Sequence, residues 1–199
     1  DEAAIQRGLF IAKPDEVGQN YQEALQFPSL NVRQIGTSWA GPGLKTIIPE
    51  YAVAYLDVRL VVETDGAAQL EKIRQHIIDQ GFLVIDRAPT DEERLNNPKI
   101  VTFTGNPGSN AYRADMNGTF GKQLSATLQQ EFGQPPVQIR TMGGTVPLIT
   151  LIETLNVPSV IVPMVNMDNN QHNPNENIRI GNIAQGILIC KAILSMNLK

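Results

Sequence analysis

With 199 residues, 42% of them hydrophobic and 18% charged, the chain holds enough apolar material for one ordinary domain or two small ones, which argues against wholesale disorder. Sixteen Lys and Arg against twenty Asp and Glu leave a net charge of −4. No basic excess is left to neutralise phosphates, so nucleic acid is a poor partner, and no apolar run approaches the ~20 residues of a membrane span.

One cysteine, Cys190, excludes an internal disulfide framework and a cysteine-cluster zinc site. The only histidines, His76 and His172, limit the metal chemistry the chain can hold alone. The opening DEAAIQRGLFIAKPDE has no cationic start, no continuous apolar core and no Met, so it does not read as a signal peptide. The expectation is a piece cut from a longer polypeptide. The compartment stays open between the cytoplasm and an exported setting.

In chain order, Pro14 and Pro28 break the first thirty residues, and Tyr21 to Leu25 predicts a short helix. Leu30 to Ile35 predicts a strand, and Gly36, Gly41, Pro42 and Gly43 mark a loop after it. Ala52 to Val62 is the clearest strand. Val53, Tyr55, Asp57 and Arg59 fall on one side, and Ala54, Leu56, Val58 and Leu60 on the other, which predicts a core face on the second side. Thr64 or Asp65 caps a helix from Ala67 to Gln80, with Leu70, Ile73 and Ile77 at helical spacing and Gly81 at its end. Phe82 to Ile85 predicts another strand. The run strand–strand–helix–strand predicts a small α+β layer, its helix on one face of an antiparallel sheet.

The polar stretch 88–99, with its two prolines, reads as an exposed excursion, and Ile100 to Phe103 as a strand. The loop-rich Gly105 to Asn117 opens a change of texture. Beyond it come a helix from Phe120 to Phe132, a strand near Val137 to Ile139 and a helix near Pro147 to Leu155. Val157 to Met164 is continuously apolar, as in a strand buried on both faces, and a last helix runs from about Ile183 to Leu194. Strands alternating with helices predict an α/β arrangement. The division expected is an α+β domain over 1–104 and an α/β domain over 105–199, with no internal repeat.

Several residues are candidates for chemistry, each with a plainer alternative. His172 lies in a polar loop between an apolar strand and a helix, where a neutral imidazole can ligate zinc; a surface histidine is the alternative. Gly143–Gly144–Thr145 precedes a helix start and permits close backbone approach to an anion, or is an ordinary turn capped by Thr145. Arg59 offers a planar fork to a carboxylate, or is a charge on a solvated sheet face paired with Asp57 or Glu63. Lys45–Thr46–Ile47–Ile48–Pro49 reads alone as a connector. His76 reads as structural or solvated, Trp39 as a possible contact residue in its glycine-rich loop, and Cys190 as a core residue.

In order along the chain, LNVRQIGTSWAGPGLKTIIPEYAVAYLDVRL, RTMGGTVP and DNNQHNPNENI resemble the co-catalytic zinc metallopeptidase family. That family includes carnosinase and related dipeptidases, carboxypeptidase G, acetylornithine deacetylase and succinyl-diaminopimelate desuccinylase. The KTIIP run and the RLV after Asp57–Val58 resemble the carnosinase-type branch most, and the resemblance covers roughly residues 28–199. It implies the later part of a ferredoxin-like lid, or dimerisation, domain followed by the C-terminal part of an α/β catalytic domain. His172 would supply the last ligand of a two-zinc site, with Asn175 and Glu176 bracing its loop. Gly144 and Thr145 would contact substrate, and Arg59 would receive a substrate carboxylate. Thr46 would approach the substrate at a position where many relatives carry Asn.

The other metal ligands, the bridging aspartate, the acid–base Glu pair and a lid histidine fall, by the same resemblance, N-terminal to everything here. The implied parent is a hydrolase of small peptides or N-acyl amino acids, a homodimer through its lid, in which two zinc ions share a water and a Glu shuttles the proton. This chain alone is expected to be inactive, with no catalytic residue of its own. The alternative is a non-catalytic dimerisation or binding module whose lid-edge strands pair between subunits. A degenerate scaffold of the same family is a third reading.

Overall fold

The computed structural model describes residues 1–39, 41, 43 and 46–197. Lys45 of the KTIIP run and Pro42 of the glycine-rich loop lie outside the described residues. The chain divides into two compact units. One comprises Asp1–Tyr112 with Gly143–Thr145, the other Arg113–Met142 with the segment from Val146 onward.

The first unit opens with two short helices, α1 (Glu2–Gly8) and α2 (Tyr21–Ala24). Each is capped by a side chain that accepts an otherwise unpaired N–H of the first turn, Asp1 from Ala4 at 3.1 Å and Asn20 from Glu23 at 2.9 Å. Strands β1 (Ser29–Thr37) and β2 (Ala52–Arg59) form an antiparallel pair whose register runs from Ser29 opposite Arg59 to Thr37 opposite Ala52. A bulge between Val32 and Gln34 leaves Arg33 as the extra residue.

The ladder ends at Arg59, three residues short of the strand expected from sequence. Its partner begins at Ser29, so among the described residues no strand pairs with Leu60 to Val62. There the chain turns. The Thr64 hydroxyl accepts from the Val61 N–H at 3.0 Å and donates to the Val61 carbonyl at 2.8 Å, and Val61 is buried. The expected core face is also only partly covered, with Ala54 exposed and Leu56 39% exposed. A sheet of two strands buries a face only where another layer lies on it.

Helix α3 (Gly66–Asp79) starts at Asp65, which accepts from the Ala68 N–H at 2.8 Å, and stops before Gly81 at φ 83°. Leu70, Ile73 and Ile77 are its half-buried stripe. Strand β3 (Leu83–Ile85) then pairs with β4 (Ile100–Thr102) in parallel, Leu83 opposite Ile100. Two separate two-stranded sheets therefore stand where one antiparallel layer was expected. Parallel pairing needs a crossover, and the stretch read as an exposed excursion supplies one. It contains α4 (Asp91–Asn96), started by a reciprocal cap in which Thr90 accepts from the Glu93 N–H at 3.2 Å and Glu93 from the Thr90 N–H at 2.7 Å.

The second unit contains α5 (Thr119–Phe132), α6 (Ile149–Leu155) and α7 (Ile180–Leu194). Its core is Leu124 and Leu128 of α5 against Ile189 of α7, with Phe132, Val162, Ile193 and Met196 packed around them. Gly133, at φ 72°, ends α5. Neither strand expected here forms. Val137 is 89% exposed and Ile161 50% exposed, and among the described residues no ladder runs through this unit. Apolar continuity makes a segment a good strand only where another segment lies alongside to take its N–H and C=O groups. Helix α6 begins at Ile149, two residues after the expected Pro147. Cys190 is exposed instead of buried, because α7 turns Gly186, Ile189 and Ala192 inward. Among the described residues no helix is long and apolar enough to cross a membrane.

Candidate functional site

Arg59 is the last residue of β2, and Asp57 precedes it by two, so pleating puts both on one side of the strand. Arg59 Nε lies 3.2 Å from Asp57 Oδ2, and Nη1 donates to Thr145 Oγ1 at 2.5 Å. Thr145 comes from a segment 86 residues further along the chain that folds with the first unit. The structure thus joins two of the candidate residues, Arg59 and Thr145, and adds Asp57. The Arg59 side chain remains 49% exposed.

Around this pair the remaining candidates stand apart. A Cβ added at Gly143 would approach Leu25 Cδ2 to 3.3 Å, whereas at Gly144 it would meet nothing within 4 Å. Nothing in the chain's own packing demands a glycine at position 144. Thr46 is exposed and makes no hydrogen bond among the described residues. Trp39 is half-buried against Gly41, where an added Cβ would sit 2.5 Å from its Cη2, so it is a packing residue of its own loop and not an exposed contact. His76 is an exposed residue of α3. Helix α6 starts at Ile149, so Gly144 and Thr145 stand outside its first turn.

In the second unit, His172 sits at the exposed turn of an asparagine-rich loop. Asn170, His172 and Asn175 all have left-handed backbone, at φ 54°, 64° and 65°. Such a conformation is tolerated by Asn and costs other L-residues energy, so the loop needs external bracing. That bracing comes from buried Asn166, whose Nδ2 donates to Asp168 Oδ1 at 2.8 Å and to Asn177 Oδ1 at 3.5 Å, while its Oδ1 accepts from the Arg179 N–H at 3.1 Å. One side chain holds both ends of the loop. Buried Asn169 adds two links, its Oδ1 accepting from the Gln171 N–H at 3.2 Å and its carbonyl from the Asn177 N–H at 2.9 Å.

Asp168 also takes the Arg179 guanidinium at 2.6 Å. Its carboxyl is held below the usual carboxylate range, first by the Asn166 amide and further by Arg179. Asn175 and Glu176 contribute main-chain groups, the Asn175 carbonyl accepting from Asn177 Nδ2 at 3.0 Å and the Glu176 N–H donating to the Asn173 carbonyl at 3.2 Å. Sequence reasoning passed over Asn166, Asn169 and Arg179. The available signal was the density of asparagine between 166 and 177, since Asn both tolerates φ above zero and bonds nearby backbone.

Among the described residues no group of three or more His, Cys, Asp and Glu could hold a metal ion. One imidazole is not a bimetallic site, so the residues present do not fit a resident metal centre by themselves.

No protein-family model matches the chain. Curated relatives do. The chain is 25% identical to the Beta-Ala-His dipeptidase of Homo sapiens over 162 residues, 81% of this chain and 30% of that protein. It is 25% identical to a Cys-Gly metallodipeptidase of Candida albicans over 170 residues, 84% of this chain and 32% of that protein. The chain therefore spans about a third of the length of the curated relatives it matches. In three dimensions it matches an M20 family metallo-carboxypeptidase of Sulfolobus solfataricus with a TM-score of 0.73 at 24% identity, over 98% of this chain and 42% of the other. The chain is thus similar to part of a Beta-Ala-His dipeptidase and of a Cys-Gly metallodipeptidase, and its mixed helix-and-strand fold is one found within a metallo-carboxypeptidase.

Proposed function

We propose that this chain is the C-terminal part of a zinc-dependent dipeptidase or related amide hydrolase, and that it contributes substrate binding and one metal ligand to that enzyme. The observation carrying this reading is the Arg59 guanidinium, fixed on two sides by Asp57 and Thr145 and still half open. A fixed, planar, permanently charged fork with free N–H groups suits a peptide's terminal carboxylate. His172, with Asn175 and Glu176 in its loop, is the residue through which the chain would ligate zinc. The open space at Gly144 and the exposed Thr46 would border the substrate. Because no described cluster of this chain holds an ion alone, its own share of the reaction is binding and orientation. The chain by itself is inactive in this reading, and the division into lid (1–104) and catalytic part (105–199) is part of the same proposal.

The free edges of β1 and β2, with Leu30, Val32 and Ile35 exposed, support a second element of the proposal, a homodimer formed through strand-edge pairing. They equally favour the alternative of a non-catalytic dimerisation module. The two part on hydrolysis. In the longer polypeptide, Arg59→Ala should cost at least about tenfold in kcat/KM on a dipeptide with a free carboxylate. That follows from about 1.5–3 kcal/mol for a hydrogen bond to a charged group, with exposure favouring the low end. On the corresponding C-terminal amide the loss should be small. Equal loss on both substrates would make Arg59 structural, and a longer polypeptide that neither hydrolyses dipeptides nor retains metal would leave the dimerisation module.

A further inference from the structure

Arg59 can be counted donor by donor. A guanidinium carries five N–H groups in one plane: one on Nε and two on each Nη. Asp57 Oδ2 lies 3.2 Å from Nε as an ion pair, and Thr145 Oγ1 accepts one N–H of Nη1. Three N–H groups remain on the two Nη nitrogens, one of them on the Nε side, and the Nε–H faces the Asp57 carboxylate. A carboxylate seeking two parallel bonds from an arginine has two places to dock, the Nε–Nη edge or the Nη–Nη end. The first is faced by this chain's own acid, whose carboxylate lies 3.2 Å from Nε.

We propose that Asp57 is the positioning residue of this site: it blocks the side approach to Arg59 and so fixes the direction from which a substrate's carboxylate is received. The inference rests on the reading of Arg59 as a carboxylate-binding group and goes beyond it by assigning the geometry of the bound complex to a second residue. Asp57 acts through Arg59 and need not touch the substrate. Its placement follows from the strand, since residues i and i+2 of β2 share a side and the ladder partner of Asp57, Asn31, keeps that part of the hairpin in register. Thr145 adds a second fixed point at the opposite end of the fork, so the plane of the guanidinium is set by two contacts from distant parts of the sequence.

Asp57 also carries a charge that opposes an incoming anion, and the two effects have opposite signs. Orientation gains affinity by removing side-chain freedom before binding, of order a factor of two to ten for one long side chain. Repulsion loses affinity, and water screens it because the Asp57 side chain is 35% exposed. Two substitutions separate them. Asp57→Asn keeps the size of the side chain and an oxygen beside Nε and removes the charge. Asp57→Ala removes both.

The probe is N-acetylglycine, titrated into the 199-residue chain and followed by the Arg59 Nε–Hε resonance. The expected result is that Asp57→Ala weakens binding three- to tenfold and broadens the Nε–Hε signal, while Asp57→Asn binds at least as tightly as the unmodified chain with a sharp signal. Should Asp57→Ala fail to fold, Asp57→Ser, whose shorter hydroxyl cannot span to Nε, gives the same test. Arg59→Ala should abolish binding. Tighter binding by both Asp57→Ala and Asp57→Asn would overturn the proposal in favour of a pure charge effect. Unchanged binding in Asp57→Ala, with binding still lost in Arg59→Ala, would overturn the role of Asp57 alone. No binding by the unmodified chain, or binding undisturbed in Arg59→Ala, would overturn the carboxylate reading of Arg59 together with it.

Discussion

Asn166→Ala should loosen the His172 loop, and the structure sets the size of the effect. The side chain is 6% exposed and makes two well-formed hydrogen bonds, to Asp168 at 2.8 Å and from Arg179 at 3.1 Å, plus a long one to Asn177 at 3.5 Å. At about 1 kcal/mol net for each good bond, with little for the long one, the loss is about 2 kcal/mol. If it falls on local opening, amide exchange in the loop should quicken by about thirtyfold, since 1.4 kcal/mol is a factor of ten. The Asn177 amide is the reporter to watch, because its own acceptor is the Asn169 carbonyl and is untouched by the substitution. The contrast is Arg179→Ala. Its ion pair with Asp168 is shorter, 2.6 Å, but the two side chains are 64% and 66% exposed, so solvent screening leaves little for it to contribute. Exchange at Asn177 should barely change there. If Arg179→Ala loosened the loop more than Asn166→Ala, or if Asn166→Ala left Asn177 protected, burial would not be what holds this loop.

The Glu93 carboxyl is lowered from 4.5 to about 2, chiefly by the Arg87 guanidinium and then by the Thr90 main-chain N–H. A depressed folded value means its contribution is present above the unfolded value and is lost as pH falls from about 4.5 through about 2. A carbon-detected titration should place the midpoint near 2, with Arg87→Ala moving it up towards the ordinary value, and an unchanged midpoint in that variant would refute the assignment. Gly144→Ala should leave the melting temperature of the chain within about 2 °C, since the added methyl meets nothing within 4 Å and no left-handed backbone constrains the site. A large loss of stability would mean that the glycine serves the chain's own fold and not a ligand's approach.

The helices were the most legible part of the chain. For α3 and α5 the apolar stripe, the Asp65 cap and the glycines at 81 and 133 all act within a few residues of one another, and the boundaries fall within two residues of expectation. Helix α4 was missed although Thr90 and Glu93 stand at capping-box spacing, because Pro89, Pro98 and the polar run between them read as loop. Strands depend on a neighbour that periodicity cannot supply. Leu60 to Val62 continue the composition of β2 after its partner has ended, and Val157 to Met164 has the composition of a buried strand with no ladder beside it among the described residues. The site divides the same way. Asp57 beside Arg59 follows from strand pleating, and the turn chemistry of the His172 loop from its asparagines. Nothing local marks Thr145 as the partner of a residue 86 positions earlier.

Gly143–Thr145 folds with the first unit although the sequence on both sides of it folds with the second. The polypeptide therefore passes from one unit to the other three times, and no single cut separates them. Cleavage between Tyr112 and Arg113 would strip Arg59 of its hydroxyl partner and leave it with Asp57 alone. Any exchange of one half for that of a relative, in the laboratory or over evolution, would have to carry three residues from the far half to keep the guanidinium seated.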